Sequence, residues 1–218
     1  MHRLHRDPQA PTCLRNYQHG RDTWSMDSPT GPERAQIWAK LNTMQGQRCA
    51  YCEVGIQPGA QEIEHFRQRS RYPQGTFDWH NLFGACKDKG TCGDHKDKCG
   101  DYDPALLIKP DVEDPDHFLV FDAHGGIHPK KDLSPQDHAR AEATIRILNL
   151  TGGGQPHMRR AAAAGYLQLL ELWAEYASQF TEEEWRPIVA QELAQELAQT
   201  AHQPFATAIR HTLTQAST

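Results

Sequence analysis

Five of the six cysteines, Cys49, Cys52, Cys86, Cys92 and Cys99, fall between residues 49 and 99, in a stretch that offers little else to fold around. Only Cys13 lies apart. Turns at Gly55, Pro58-Gly59, Pro73 and Gly75 cut this stretch into short pieces. Gln61 to Phe66 reads as a strand and Asp94 to Cys99 as a helix, and neither is long enough to be stable alone. The N-terminus has no apolar run of the kind that directs secretion, so the expected compartment is the cytoplasm, where clustered thiols stay reduced and read first as metal ligands. Cys49-Ala50-Tyr51-Cys52 is a knuckle that can fill two corners of a zinc tetrahedron at ~2.3 Å, and Cys86 and Cys92 complete the four. Their wider spacing leaves Cys99 as a competitor for one of those places. Buried inert thiols or a redox pair are the alternative, and the redox reading lacks its βαβ context. A structural Zn²⁺ would supply the folding energy that this polar stretch lacks.

The rest of the chain sets the frame. At 218 residues it should form one domain, or a small domain with an elaboration. The net charge of −5 splits into +3 over the first hundred residues and −8 over the remainder, which permits a polyanion on the N-terminal half. No run approaches the ~20 apolar residues of a membrane span, and no GxxxxGK[ST] loop for a nucleoside triphosphate is present. Residues 1–30, rich in Pro, Arg and His and without a period, read as an N-terminal arm outside the core. Thr30 and Glu33 then cap a helix bearing Ile37, Leu41 and Met44 that stops at Gly46. Phe118 to Phe121 and Ile127 read as a hairpin. Ser134 starts a helix that ends at Gly152-Gly153-Gly154, and three more follow: one from about Ala161, one capped by Thr181 and Glu184, and one from about Pro204 to Leu213. The expected class is α+β, with an arm (1–30), a cysteine-rich region with its leading helix (31–110), and a hairpin plus helical region (111–218). In the last, Leu169, Trp173, Tyr176, Trp185 and Ile188 have the spacing of a buried face.

Between the cysteine pairs lies IEHFRQRSRYPQGTFDWHNLFGAC, with Glu64-His65 and later Asn81, and Lys96 follows the last pair. Taken in order from Cys49 to Lys96, the CxxC, EH, N, C, C and K elements resemble an HNH endonuclease. The segments CAYCE, IEHFRQRSRYP, FDWHNLFGAC and CGDHKD, followed by DYDPALLIKPDVEDPDHFLVF and LSPQDHARAEATIRILNL, are similar to the retron- and Septu-associated PtuB branch, over most of the chain after residue 30. The resemblance implies a zinc-stapled ββα-metal finger that hydrolyses DNA. His65 would be the general base, since a neutral imidazole can take a proton from water near pH 7. Asn81 would hold that ring by accepting its other N–H. Glu64 would bind a catalytic Mg²⁺ or Mn²⁺.

The family pattern also places a His, Asn or Asp directly after the last zinc cysteine as second metal ligand, whereas this chain has Gly93. His95 is favoured as its substitute, with Asp97 as the alternative. Strand side chains alternate, so Glu64 and His65 share one site only if the strand ends or twists there. Lys96, Arg67 and Arg69 are expected on phosphate, with Arg71 nearby, and a solvated basic loop is an equal reading of the arginines. His80 reads as structural, and Phe77 and Trp79 as core. As partners the resemblance implies DNA, a PtuA-like ATPase docked on the acidic C-terminal helices, and a retron reverse transcriptase with its RNA–DNA product. A finger that binds nucleic acid without cutting it, motivated by Gly93, and a nuclease acting on RNA or tRNA are the competing functions.

Overall fold

The computed structural model describes residues 1–215 and begins on the core rather than beside it. Met1 and Leu4 are fully buried, and the Leu4 N–H donates to Pro110 O at 2.8 Å. Arg6 pairs with Asp111 and donates to the carbonyls of Trp79 and Leu82 at 2.7 and 2.9 Å. Cys13 and Leu14 are buried as well. This corrects the expectation that residues 1–30 lie outside the core. An extended segment that anchors through single side chains has no period to detect.

Helix α1, Gly31–Gln45, starts where the Glu33 carboxylate accepts from both the Thr30 N–H (2.9 Å) and its hydroxyl (2.6 Å). It ends at Gly46, whose left-handed backbone lets its N–H reach Asn42 O. The buried face of Ile37 and Leu41 turns inward, and α1 lies against an antiparallel pair, β1 (Gln61–His65) and β2 (Leu82–Cys86). Gly84 makes that approach possible: a Cβ there would come within 2.7 Å of the Trp38 ring. The Gln45 side chain also donates to Gly84 O and accepts from its N–H, at 2.9 and 2.8 Å. In this pair Glu64 stands opposite Phe83 and His65 opposite Leu82. Helix α2, Cys92–Lys98, packs back on β2.

A second antiparallel pair follows, β3 (Leu119–Phe121) and β4 (Ile127–Pro129). Then come α3 (Pro135–Ile147), whose N-cap Ser134 accepts from the Asp137 N–H, α4 (Gln155–Gln179), α5 (Glu182–Thr200) and α6 (Ala206–Gln215). The described residues thus form a mixed α/β fold of six α-helices and two small antiparallel pairs. The main core joins the N-terminal segment, α1, β1–β2, β3–β4 and α3, and a smaller one holds Trp173, Ile209 and Leu213. The start of α6 is tied to the cysteine knuckle, because Glu53 accepts from the Phe205 N–H through its carbonyl and from the Thr207 N–H through its carboxylate. Along α4 and α5 the expected buried face is met only in part. Trp173 is buried and donates to Glu192, Leu169, Tyr176 and Trp185 are half-buried, and Ile188 is 43% exposed. None of the described helices is long and apolar enough to cross a membrane.

Candidate active site and metal centre

Four thiols converge where the knuckle, the end of β2 and the start of α2 meet. The backbone fixes each one. Ala50 N–H donates to Gly84 O, which sews the knuckle to β2, and Cys92 N–H donates to Leu148 O beyond α3. The Sγ atoms of Cys49, Cys52, Cys86 and Cys92 all lie within 4.8 Å of one another, and the Cys49–Cys92 and Cys52–Cys86 separations are both 3.8 Å. A tetrahedron with ~2.3 Å metal–sulfur bonds has edges of about 3.8 Å, so the set could bind a metal such as zinc with little movement. Burial opposes ionisation of Cys49, but hydrogen bonds from the other three thiols outweigh it and hold its pKa well below the usual range. Bonds with Cys49 and Cys86, then burial, push Cys52 well above it, and bonds with Cys49, Cys52 and Cys86, then burial, do the same to Cys92. A bound cation would remove that conflict by favouring all four thiolates. Around the cluster, the Gln155 amide lies 3.5 Å from Cys92 Sγ, and the buried Arg159 guanidinium donates to Gly125 O and Leu150 O. Cys99 stands outside the cluster with its thiol turned to Lys96 O, and Cys13 points to Glu33 O.

His65 ends β1 and is 7% exposed. Its Nε2 lies 2.9 Å from Thr76 O, and since a carbonyl only accepts, Nε2 carries the proton and Nδ1 the lone pair. The Trp24 ring packs nearly at right angles to the imidazole, with centroids 4.6 Å apart. Burial first, then the charges of Arg69 and Lys96, bring the His65 pKa down to about 4, against the pull of the Thr76 bond. The ring is therefore neutral at pH 7. Asn81 does not hold it. Its Oδ1 accepts from Arg67 N–H at 2.7 Å and its Nδ2 donates to Arg67 O and Gly75 O, so Asn81 pins both ends of the loop that carries Thr76. The orienting partner of His65 is the Thr76 carbonyl, which sequence reasoning missed because a backbone acceptor leaves no residue-type signal.

Glu64, 5% exposed, leaves the strand toward different neighbours than His65 does. One carboxylate oxygen accepts from the Tyr51 hydroxyl, and the other lies 2.7 Å from the Lys96 ammonium. Lys96 also donates to His65 O at 3.0 Å and to Asp97 at 2.6 Å. It is wholly buried, and the carboxylates of Glu64 and Asp97 raise its pKa above the usual value in spite of that burial. This corrects the expectation that Lys96 contacts phosphate, because its ammonium is wholly buried and turned to Glu64, Asp97 and His65 O. Gly93 faces the same spot: a Cβ there would come within 2.5 Å of Glu64 Cγ, so a family-type ligand cannot occupy that position while Glu64 stays where it is. One turn on, at i+3 and i+4, Lys96 and Asp97 share the face of Gly93, whereas His95 turns away and its Nδ1 meets Ile147 O. Among the two candidate substitutes the structure brings Asp97, not His95, to Glu64.

Glu62 was also missed, although strand alternation puts it on the face of Glu64. It is half-buried, and burial first, then Glu64, Asp97 and Asp94, push its pKa up to about 7. Two carboxylates and one carbonyl thus meet a single ammonium, with the Glu62 carboxylate beside Glu64. That all-oxygen donor set suits a hard divalent ion in chemistry, at the point that Lys96 now fills. Replacing Lys96 by Met is expected to cost about 3–5 kcal/mol in urea unfolding, the size of breaking a buried pair. Adding Glu64→Gln should return most of that loss. A single variant within about 1 kcal/mol of the parent would show that the ammonium is not what holds this cluster.

The remaining residues sit as follows. Arg67 and Arg69 are exposed, Arg67 stacking over Tyr72 and Arg69 donating to Trp24 O. Trp79 and Phe77 are buried and His80 is exposed.

No family model matches the chain. Two curated relatives do. Over 127 residues it is 26% identical to a protein of Vibrio cholerae serotype O1 biovar El Tor named "Retron Vc95 putative HNH endonuclease", matching 55% of this chain and 58% of that protein. Over another alignment of 127 residues it is 29% identical to the "Septu protein PtuB" of Bacillus thuringiensis, matching 52% of this chain and 44% of that one. The chain spans about half the length of the curated relatives it matches. The two likenesses support an HNH-type nuclease family.

Proposed function

We propose that this chain is a metal-dependent HNH endonuclease that hydrolyses DNA phosphodiester bonds, built on a zinc-stapled ββα-metal finger formed by the knuckle, β1, β2 and α2. The observation that carries the reading is His65: a neutral, buried imidazole whose Nε2 proton is fixed on Thr76 O and whose Nδ1 lone pair is left to act as a base. In the reaction Nδ1 takes a proton from water, the water oxygen bonds to phosphorus, and the bond to the 3′ oxygen breaks; that oxygen takes a proton from solvent, leaving 5′-phosphate and 3′-hydroxyl ends. Arg67 and Arg69 face the polyanion. Glu64 and Asp97 are the residues that would hold Mg²⁺ or Mn²⁺, with Glu62 beside them, and such an ion, when bound, supplies positive charge to the phosphoryl oxygens and the departing oxygen. Lys96 must then give way to it.

The relatives named for a retron and for Septu support a role as effector of an anti-phage complex. The partner we infer is a PtuA-like ATPase, with a retron reverse transcriptase and its RNA–DNA product as further components. The acidic α4–α5 pair, which leaves Leu172, Phe180 and Ile188 exposed, supports docking there. Gly93 and the buried Lys96 favour a second reading, a zinc finger that binds nucleic acid without cutting it. Supercoiled plasmid and a structured RNA, each incubated with Mg²⁺ or Mn²⁺ and with or without a co-purified ATPase, separate the readings. Nicked or linear plasmid is the expected result. Cleavage of RNA alone would replace the substrate, and binding of either polymer without cleavage in any mixture would favour the second reading.

A further inference from the structure

Two guanidinium groups that form no ion pair among the described residues meet Trp24, the residue that packs on His65. Arg69 reaches Trp24 O with one nitrogen at 3.0 Å. Arg34, from the first turn of α1, lies over the Trp24 ring, its Cζ 5.1 Å from the centroid, and donates to Pro29 O at 2.9 Å and to Ser25 O. Neither takes part in an ion pair among the described residues, although 28 carboxylate side chains were available to this chain. Their charges act on each other: burial first and then Arg69 lower the Arg34 pKa. Trp24, Ser25, Met26, Arg34 and Arg69 line an open pocket of about 500 Å³. A second, of about 300 Å³, continues past Trp24 and Arg69 to Thr76, whose carbonyl holds His65, and to Arg21, whose charge is paired with Asp22. Two cations that repel each other and pair with no carboxylate among the described residues mark a place built for an anion from outside.

We propose that the segment around Trp24, together with Arg34 and Arg69, forms a subsite for a nucleic-acid phosphodiester next to the one that is cut. The proposal rests on the nuclease reading and names the part of the N-terminal segment that holds the substrate. Trp24 links binding to chemistry, since its ring lies under the Arg34 guanidinium and meets the His65 imidazole nearly at right angles, while its backbone carbonyl accepts from Arg69. It is a positioning residue. Guanidinium forks match phosphate oxygens two at a time, which a lone surface lysine cannot do.

The test is binding of fluorescent single-stranded DNA, duplex DNA and RNA of equal length to the full chain in EDTA with its zinc intact, followed by anisotropy over a series of salt concentrations. Arg34→Gln with Arg69→Gln should weaken binding about tenfold at low salt and make the slope of log affinity against log salt shallower by about 1 to 2. Arg69→Lys should keep most of the slope. Arg186→Gln, on α5 and paired with Glu182, removes the same charge elsewhere and should leave the slope unchanged. Because Arg34 also holds the loop, Arg69→Gln alone carries the test if the double variant melts early, with a slope change of about 1. The three polymers tell which sugar and strand state the subsite prefers. Wild-type affinity and slope in the arginine variants, in a protein that binds and cuts, would overturn this subsite and leave the nuclease reading standing. A parent chain that neither binds nor cuts would sink both.

Discussion

Changing any one of Cys49, Cys52, Cys86 or Cys92 to serine is expected to remove the bound metal and unfold the region from the knuckle through α2. The reason is the small amount of structure that the four thiols hold. Strands β1 and β2 are five residues each and α2 is seven, lengths at which neither a hairpin nor a helix is stable in water. A structural zinc in so small a unit contributes on the order of 10 kcal/mol, comparable with the whole stability of a domain. Loss should also spread, because Gln45 ties β2 to α1 through Gly84, and Glu53 ties the knuckle to α6. Metal analysis of the purified parent should give one Zn²⁺ per chain, and a strong chelator should abolish the cooperative melt seen by circular dichroism. Cys13→Ser and Cys99→Ser should leave the zinc content unchanged. If Cys86→Ser or Cys92→Ser kept a full equivalent of zinc and the parental melting temperature, the four-thiolate centre assigned from the 3.8 Å separations would be wrong.

What the sequence disclosed follows from how each feature is encoded. The strand at Gln61, the helix after Cys92, the hairpin and the caps at Thr30, Ser134 and Thr181 are local patterns, and the structure has an element at each. The four thiols were legible because cysteine is rare and clusters only for a reason. Contacts between distant segments were not legible. Met1, Leu4 and Arg6 join the core through single side chains in extended chain, and no window of sequence records that Arg6 meets Asp111. Nor could spacing tell that Lys96 would be drawn inward. A lysine on a short polar helix reads as surface until Glu64 and Asp97 are seen to surround it. Asn81 shows the subtlest miss: it lies beside the right residue, but its amide matches the backbone of Arg67 and Gly75, and the carbonyl that holds His65 belongs to the loop it pins. The choice of Asp97 over His95 needed only helical periodicity, since residues at i+4 share a face and those at i+2 do not.

His65→Ala is expected to lower the cleavage rate by at least ~100-fold, the lower end of what a general base contributes, with nucleic-acid affinity in EDTA nearly unchanged. The imidazole is buried against Trp24, so alanine also removes packing and opens the space beside Thr76. His65→Gln separates the two effects, because its amide can still donate to Thr76 O and fill much of the volume while lacking a basic nitrogen. Both variants should lose cleavage alike, and Gln should recover most of the melting temperature that Ala loses. Asn81→Ala should behave differently. It strips three hydrogen bonds from a buried amide and should cost on the order of 1–3 kcal/mol of stability, with a rate loss that follows from the displaced Thr76 carbonyl. The proton on Nε2 adds a spectroscopic check. In the parent, nitrogen NMR of the His65 ring should report protonation at Nε2 and a bare Nδ1 at pH 7, and that pattern should persist down to about pH 5 because the pKa lies near 4. A ring protonated on Nδ1, or cleavage surviving in His65→Gln at the parental rate, would move the base elsewhere. Glu62, whose pKa is pushed up to about 7 by burial and its carboxylate neighbours, would then be the next residue to substitute.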